Sequence, residues 1–248
     1  MRRTFLAIAA VLAAVAPTAA LAAETRVAVA ANFAEPAREI AARFKARTGH
    51  DATLSFGSSG QFYAQIANGA PFEVFLSADR ERPEKAEAEG LGVGGSRFTY
   101  AVGRLVLFSR TPGLVDAKGA VLTSGQFQKL AIADPRTAPY GVAAEEAMRK
   151  IGVYDVLRPK LVRGASITQT YQFVDTGAAE LGFVALSQVV AVKGGSRWTV
   201  PATYHTAINQ QAVLLKTGAG SVAARAFMAF LKGPDAKAIV RRYGYEAP

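Results

Sequence analysis

The chain has 248 residues, a formal net charge of +10 at pH 7, 50% hydrophobic residues and no cysteine. The missing thiol excludes disulfides, thiolate metal sites, a cysteine nucleophile and lipid attachment through an N-terminal cysteine. The positive excess raises the local concentration of anionic solutes or simply keeps a basic surface soluble. Its Lys and Arg are scattered rather than massed in one stripe, so no nucleic-acid partner is expected.

Met1, Arg2 and Arg3 precede an apolar run from Phe5 to Val15, and Ala20-Leu21-Ala22 follows as a small-x-small site. Residues 1–22 therefore read as a secretory signal peptide and not as a membrane span. Arg2-Arg3-Thr4-Phe5-Leu6 also echoes a twin-arginine signal, although an ordinary Sec leader with two basic residues reads the same way. Loss of the leader removes two positive charges. No later stretch approaches the ~18 apolar residues of a transmembrane helix, so an exported protein free in the periplasm, without a lipid anchor, is expected.

From Arg26 strand and helix patterns alternate. Val27–Ala31 is a short apolar strand. Phe33, Ala37, Ile40, Ala41 and Phe44 then recur at helical spacing, and Gly49 after Arg47 stops that helix. Ala52–Phe56 predicts a second strand, Gln61–Ala67 a second helix and Glu73–Leu76 a third strand. Ser77-Ala78-Asp79 leads into a charged helix through Glu89. The Gly-rich stretch Gly90–Gly95 lacks the strand-loop-helix context of a dinucleotide site and reads as a connection. Phe98–Phe108 is a long strand pattern with Gly103 inside it, a plausible crossing between lobes because glycine absorbs backbone change.

The second half repeats the plan. Leu130–Ala133 is a strand, Asp134–Gly141 a turn, and a helix runs to Lys150 with Val142, Ala143, Ala147, Met148 and Ile151 on its apolar face. Lys160–Val162, Ile167–Asp175 and Leu181–Val184 predict strand, helix and strand. Gln210–Leu215 looks like the return crossing. Val222, Ala223, Ala226, Phe227, Phe230 and Leu231 form the last helical stripe, broken at Gly233-Pro234. Strands separated by helices of this size imply α/β lobes with parallel sheets. Lobe one is expected over residues 23–101 and 206–248, lobe two over 102–205, with two crossovers as the hinge.

Four strand-to-helix junctions share one character: Ala31-Asn32, Ser58-Ser59, Pro139-Tyr140-Gly141 and Ser166-Ile167. Each offers free backbone N–H groups, the first three add a neutral donor side chain, and none carries Lys or Arg. Helix starts of this kind receive an ionised oxyanion through dipoles and hydrogen bonds. Neutral donors select by geometry, since an ion of the wrong size leaves groups unpaired. Ser, Asn and Gly at helix starts are also ordinary N-caps, so the functional reading requires the junctions to converge.

At these residues the chain resembles the periplasmic molybdate-binding proteins of ABC importers. The likeness runs through Val29–Phe33, Phe56–Ser59, Ala70-Pro71 with Leu76–Asp79, Ala133–Pro135 with Ala138–Gly141, Leu181–Val184, Phe230–Pro234 and Arg242–Tyr245. The resemblance implies a two-lobed periplasmic-binding-protein fold that closes on molybdate or tungstate and delivers it to a membrane permease, with no cofactor and no directly bound metal. Carried over by position, the ligands are Asn32 with the N–H of Ala31 or Asn32, Ser59 through hydroxyl and N–H, Tyr140, and the N–H of Ile167. Many relatives add a tyrosine hydroxyl after the late strand, where this chain has Ala185; Asn32 and Tyr140 are then the residues to supply that donor. Sulfate, phosphate or another oxyanion is the alternative guest. A monomer is the expected state for a shuttle.

An enzyme is the other class considered. His50 and His205 lack metal-site spacing and read as surface or cap residues. Gly57–Gly60 is not a nucleophile elbow. Glu84, Glu87, Glu89, Glu145 and Glu146 read as solvated helix faces. Tyr243 and Tyr245 read as packing at a C-terminal helix end rather than as ferric-ion ligands.

Overall fold

The computed structural model describes residues 22–248; the signal peptide expected over residues 1–22 lies, but for its last residue, outside them. The first lobe opens with β1 (Glu24–Ala30), α1 (Ala34–Thr48), β2 (Asp51–Gly57), α2 (Ser59–Ala67), β3 (Val74–Leu76), α3 (Glu81–Ala88) and β4 (Phe98–Gly103). The second comprises β5 (Leu105–Ser109), α4 (Val121–Ser124), β6 (Leu130–Ala133), α5 (Pro139–Ile151), α6 (Tyr154–Leu157), β7 (Leu161–Gly164), α7 (Ile167–Asp175), β8 (Leu181–Ala185), α8 (Leu186–Val189) and β9 (Ser196–Thr199). The chain returns to the first sheet with β10 (Ile208–Leu214) and ends in α9 (Val222–Lys232) and α10 (Pro234–Arg242).

Two five-stranded sheets result, ordered β2-β1-β3-β10-β4 and β7-β6-β8-β5-β9. Each has three parallel strands, joined through helices as expected, and then two strands of mixed direction: β10 runs antiparallel to β3 and β4, and β5 antiparallel to β8 and β9. The expected parallel sheets are therefore mixed, because the strands next to the crossings enter and leave each lobe without a crossover helix. The chain changes sheet at Arg104. Gly103 is required there for room, not for backbone freedom: a Cβ would sit 2.2 Å from the Tyr140 hydroxyl.

Helix periodicity held where it buried a face. Phe33, Ala37, Ile40 and Phe44 pack with Phe227 and Leu231 under the first sheet, each large side chain contributing roughly 1.5–3 kcal/mol of burial. Leu105, Leu107, Ile132, Met148 and Phe183 centre the second core. Val142 and Val222, expected on buried stripes, are exposed. α10, beyond the expected break, is a second C-terminal helix, because Pro234 suits a first helical position. β9 has four residues, too short to announce itself by alternation.

Candidate functional site

Register brings the four junctions together. β1 and β2 are parallel neighbours whose last pair is Ala30 with Gly57, so the chain turns into α1 and α2 side by side. β6 and β7 end likewise at Ala133 with Gly164, placing the starts of α5 and α7 together on the second lobe. Loops at the carboxyl ends of parallel strands are where such sheets bind ligands. Here the two ends face each other.

A small cavity lies between them, lined by Ala30, Ala31, Asn32, Gly57, Ser58, Ser59, Ala78, Ala138, Pro139, Tyr140 and Ile167. All five residues singled out from the sequence line it, and no side chain in its wall is charged. Ala31 and Asn32 lie in a 3₁₀ turn (Ala31–Phe33) that runs into α1, and Ser59, Tyr140 and Ile167 in the first turns of α2, α5 and α7, where no preceding helical carbonyl exists. Their N–H groups find no acceptor among the described residues. Four helix dipoles thus point their positive ends at one space, two from each lobe.

The side chains differ from expectation in how they reach the cavity. Tyr140 lies at the second position of α5, 1% exposed, but its hydroxyl turns toward Gly103 and accepts from Gln210 Nε2 at 3.5 Å. It meets the cavity through its main chain. Asn32 Nδ2 donates to Gln210 Oε1 (2.8 Å) and to the Tyr245 hydroxyl (3.0 Å), which uses both amide hydrogens inside the protein. Neither side chain supplies the extra donor expected at Ala185, itself fully buried at the end of β8. Ser59 Oγ accepts from the Ala78 N–H at 2.9 Å, leaving its own proton free to donate. Ser58, beside Ser59 at the same junction, has a buried hydroxyl without a partner among the described residues, an open donor in the cavity wall.

Behind the cavity runs a buried network that sequence reading missed. The Tyr100 hydroxyl, with one proton to give, lies 3.1 Å from both Gln210 Oε1 and the Ser77 carbonyl oxygen. Tyr245 lies 2.7 Å from the Asn32 carbonyl and 2.8 Å from Ser187 Oγ. Burial pushes the Tyr245 phenol up to about 12, and Tyr100 and Tyr140 well above the usual phenol range. All three are neutral donors at physiological pH. Their positions in sequence are far apart, and no local pattern could have gathered them.

The lobes touch around the cavity. Gly60 N–H donates to the Thr137 carbonyl at 2.9 Å, and Ser187 Oγ donates to the Asn32 carbonyl at 2.8 Å. A larger groove of about 500 Å³ opens beside the return crossing. Four carboxylates (Asp79, Glu81, Glu84 and Glu146) face only two guanidiniums there (Arg80 and Arg82), which makes it the poorer place for an anion. Of the histidines, His50 is not a surface residue: it is buried, and its Nδ1 accepts from the Ala23 N–H. Glu87 and Glu145, read as solvated, are largely enclosed and pair with Arg97 and with Arg149 and Arg163. Among the described residues there is no group of acidic or histidine side chains fit to hold a metal ion, and no helix long and apolar enough to cross a membrane.

Two α/β lobes meeting over a cavity of uncharged donors define a solute-receptor architecture. The sequence profile of the bacterial extracellular solute-binding proteins matches residues 25–246, and the chain belongs to that family. It is 59% identical over 226 residues to the molybdate-binding protein ModA of Rhodobacter capsulatus, covering 91% of this chain and 89% of that protein. Against ModA of Azotobacter vinelandii it is 55% identical over 230 residues, covering 92% and 91%. The solved structure of the Azotobacter vinelandii periplasmic molybdate-binding protein superposes with a TM-score of 0.87 at 44% identity, covering 90% of this chain and 99% of that one.

Proposed function

We propose that this chain is a periplasmic receptor that captures molybdate, and with it tungstate, and hands it to the permease of an ABC importer. The observation that carries the reading is the meeting of four helix N-termini, two per lobe, around a cavity with no charged wall. Relatives at 59% and 55% identity named as molybdate-binding support the choice of ion. The site's ligands are the N–H groups of Ala31, Asn32, Ser59, Tyr140 and Ile167 with the Ser59 hydroxyl. The metal enters as its oxyanion, no cofactor takes part, and the protein is a binding protein rather than an enzyme.

The donor set also speaks to selectivity. Monohydrogen phosphate carries a proton that needs an acceptor, and the cavity wall has no carboxylate to take it. A fully ionised tetrahedral dianion satisfies every donor. Residues 23–103 with 206–248 act as one lobe and 104–205 as the other, the expected boundary after 101 moving because Val102 and Gly103 pair with β10 in the first sheet, and the ion stabilises the closed form by contacting both. Export by the leader, life as a monomer in the periplasm, and delivery to an inner-membrane permease complete the reading. A thermal-shift panel of oxyanions on the mature protein tests it. Molybdate and tungstate should raise the melting temperature far more than sulfate or phosphate; equal stabilisation by sulfate, or none by molybdate, refutes it.

A further inference from the structure

The segment after α10 was expected only to pack, yet it touches both lobes. Glu246 is stitched to β4 through paired main-chain bonds with Val102 (2.8 and 3.2 Å). Gly244, in the left-handed region at φ 82°, lies so close to α8 that a Cβ would meet Leu186 Cδ2 at 2.8 Å. Tyr245, between them, is 5% exposed, with its ring edge-on to Phe33 at 5.4 Å.

Its hydroxyl closes a ring of hydrogen bonds. Asn32 Nδ2 donates to Tyr245 (3.0 Å), Ser187 donates to the Asn32 carbonyl (2.8 Å), and the one Tyr245 proton, 2.7 Å from that carbonyl and 2.8 Å from Ser187 Oγ, completes the ring when given to Ser187. Around the ring each group gives one bond and receives one, with the second Asn32 amide hydrogen going to Gln210 Oε1, an arrangement in which neighbouring bonds strengthen one another. Asn32 and Tyr245 belong to the first sheet's lobe and Ser187 to the second. The ring therefore holds both the side chain and the carbonyl of a residue whose N–H faces the cavity, and ties it across the interface.

Resting on the receptor reading above, we propose that Tyr245 is a positioning residue: it aims the Asn32 main chain at the bound oxyanion and couples that loop to the opposite lobe through Ser187. It touches no ligand itself. Removing only its oxygen leaves the ring packed on Phe33 and strands one Asn32 amide hydrogen and the Ser187 acceptor.

The test compares mature wild type, Tyr245→Phe, Ser187→Ala and the double variant, using calorimetry with molybdate, stopped-flow dissociation and amide hydrogen exchange at Asn32 and Phe33 without ligand. Tyr245→Phe should raise Kd about three- to tenfold, mainly through faster dissociation. It should speed exchange at Asn32 and Phe33, and its effect on Kd should fall short of additivity with Ser187→Ala. An unchanged Kd with a lowered ligand-free melting temperature, or full additivity, overturns the proposal. A wild type that ignores molybdate refutes the receptor reading instead, and unchanged exchange in Tyr245→Phe then overturns the positioning role independently.

Discussion

Gly60→Ala separates ligand closure from folding. Gly60 is the second residue of α2, and its N–H reaches across the cleft to the Thr137 carbonyl at 2.9 Å. A methyl group built there would lie 2.9 Å from Thr137 Cα, 3.1 Å from its carbonyl oxygen and 3.2 Å from Arg82 Nη2. Two of those neighbours are backbone of the other lobe, so relief requires the lobes to stand several tenths of an ångström apart. That weakens the Gly60–Thr137 bond, worth roughly 1 kcal/mol, and adds overpacking strain of about 1–3 kcal/mol. Binding should weaken by about 2–4 kcal/mol in all, a Kd increase on the order of 30- to 1,000-fold. Within α2 itself alanine is the better helix former by up to ~1 kcal/mol, so the ligand-free protein should melt no lower than wild type. Calorimetry with molybdate and thermal unfolding without it read the two effects separately. A wild-type Kd would show that the bound state does not bring Gly60 against Thr137 and would refute the closure geometry.

Ser59→Ala should weaken molybdate binding by roughly 1–3 kcal/mol, because a buried anion loses a donor and the Ala78 N–H loses its acceptor; unchanged affinity by calorimetry removes the Ser59 hydroxyl from the site. Affinity should stay flat between about pH 6 and 8, since no side chain in the cavity wall titrates there, and a steep titration would count against neutral donors. Stability should hold up to about pH 10 and fall as pH rises toward 12. The Tyr245 phenol is raised by burial from 10.0 to about 12, so the unfolded chain releases that proton first. Tyr245→Phe should flatten the alkaline loss in chemical denaturation, and an unchanged slope would show that the phenol titrates normally. Gly103→Ala should cost about 1–3 kcal/mol of folding stability, because its Cβ would fall on the Tyr140 hydroxyl and within 2.9 Å of Gln210 Nε2; a wild-type melting temperature would show that the hinge has slack there.

How much could be read in advance follows the range of the interactions. α7 spans the expected Ile167–Asp175 because a Ser166 cap and helical spacing are local facts, the cap accepting the Gln169 N–H at 3.3 Å. The junctions at Asn32, Ser59, Tyr140 and Ile167 were visible for the same reason: a strand giving way to a helix leaves its N–H groups unpaired wherever the fold carries them. The mode of contact was not visible. Whether the Asn32 amide and Tyr140 hydroxyl face the guest or the hinge depends on Gln210 and Tyr245, 178 and 213 residues from Asn32.

Order along the chain thus specified the alternation of strands and helices, the neutral chemistry of their junctions and the likeness to molybdate receptors. Assembly supplied the rest: the in-register pairing that sets junction beside junction, the antiparallel strands at the crossings, and the tail that closes a hydrogen-bond ring behind Asn32. Capping and periodicity act over three or four residues and leave a mark in sequence. Hydrogen bonds between distant side chains leave none, because any pair of polar residues can make them once packing has put them 3 Å apart.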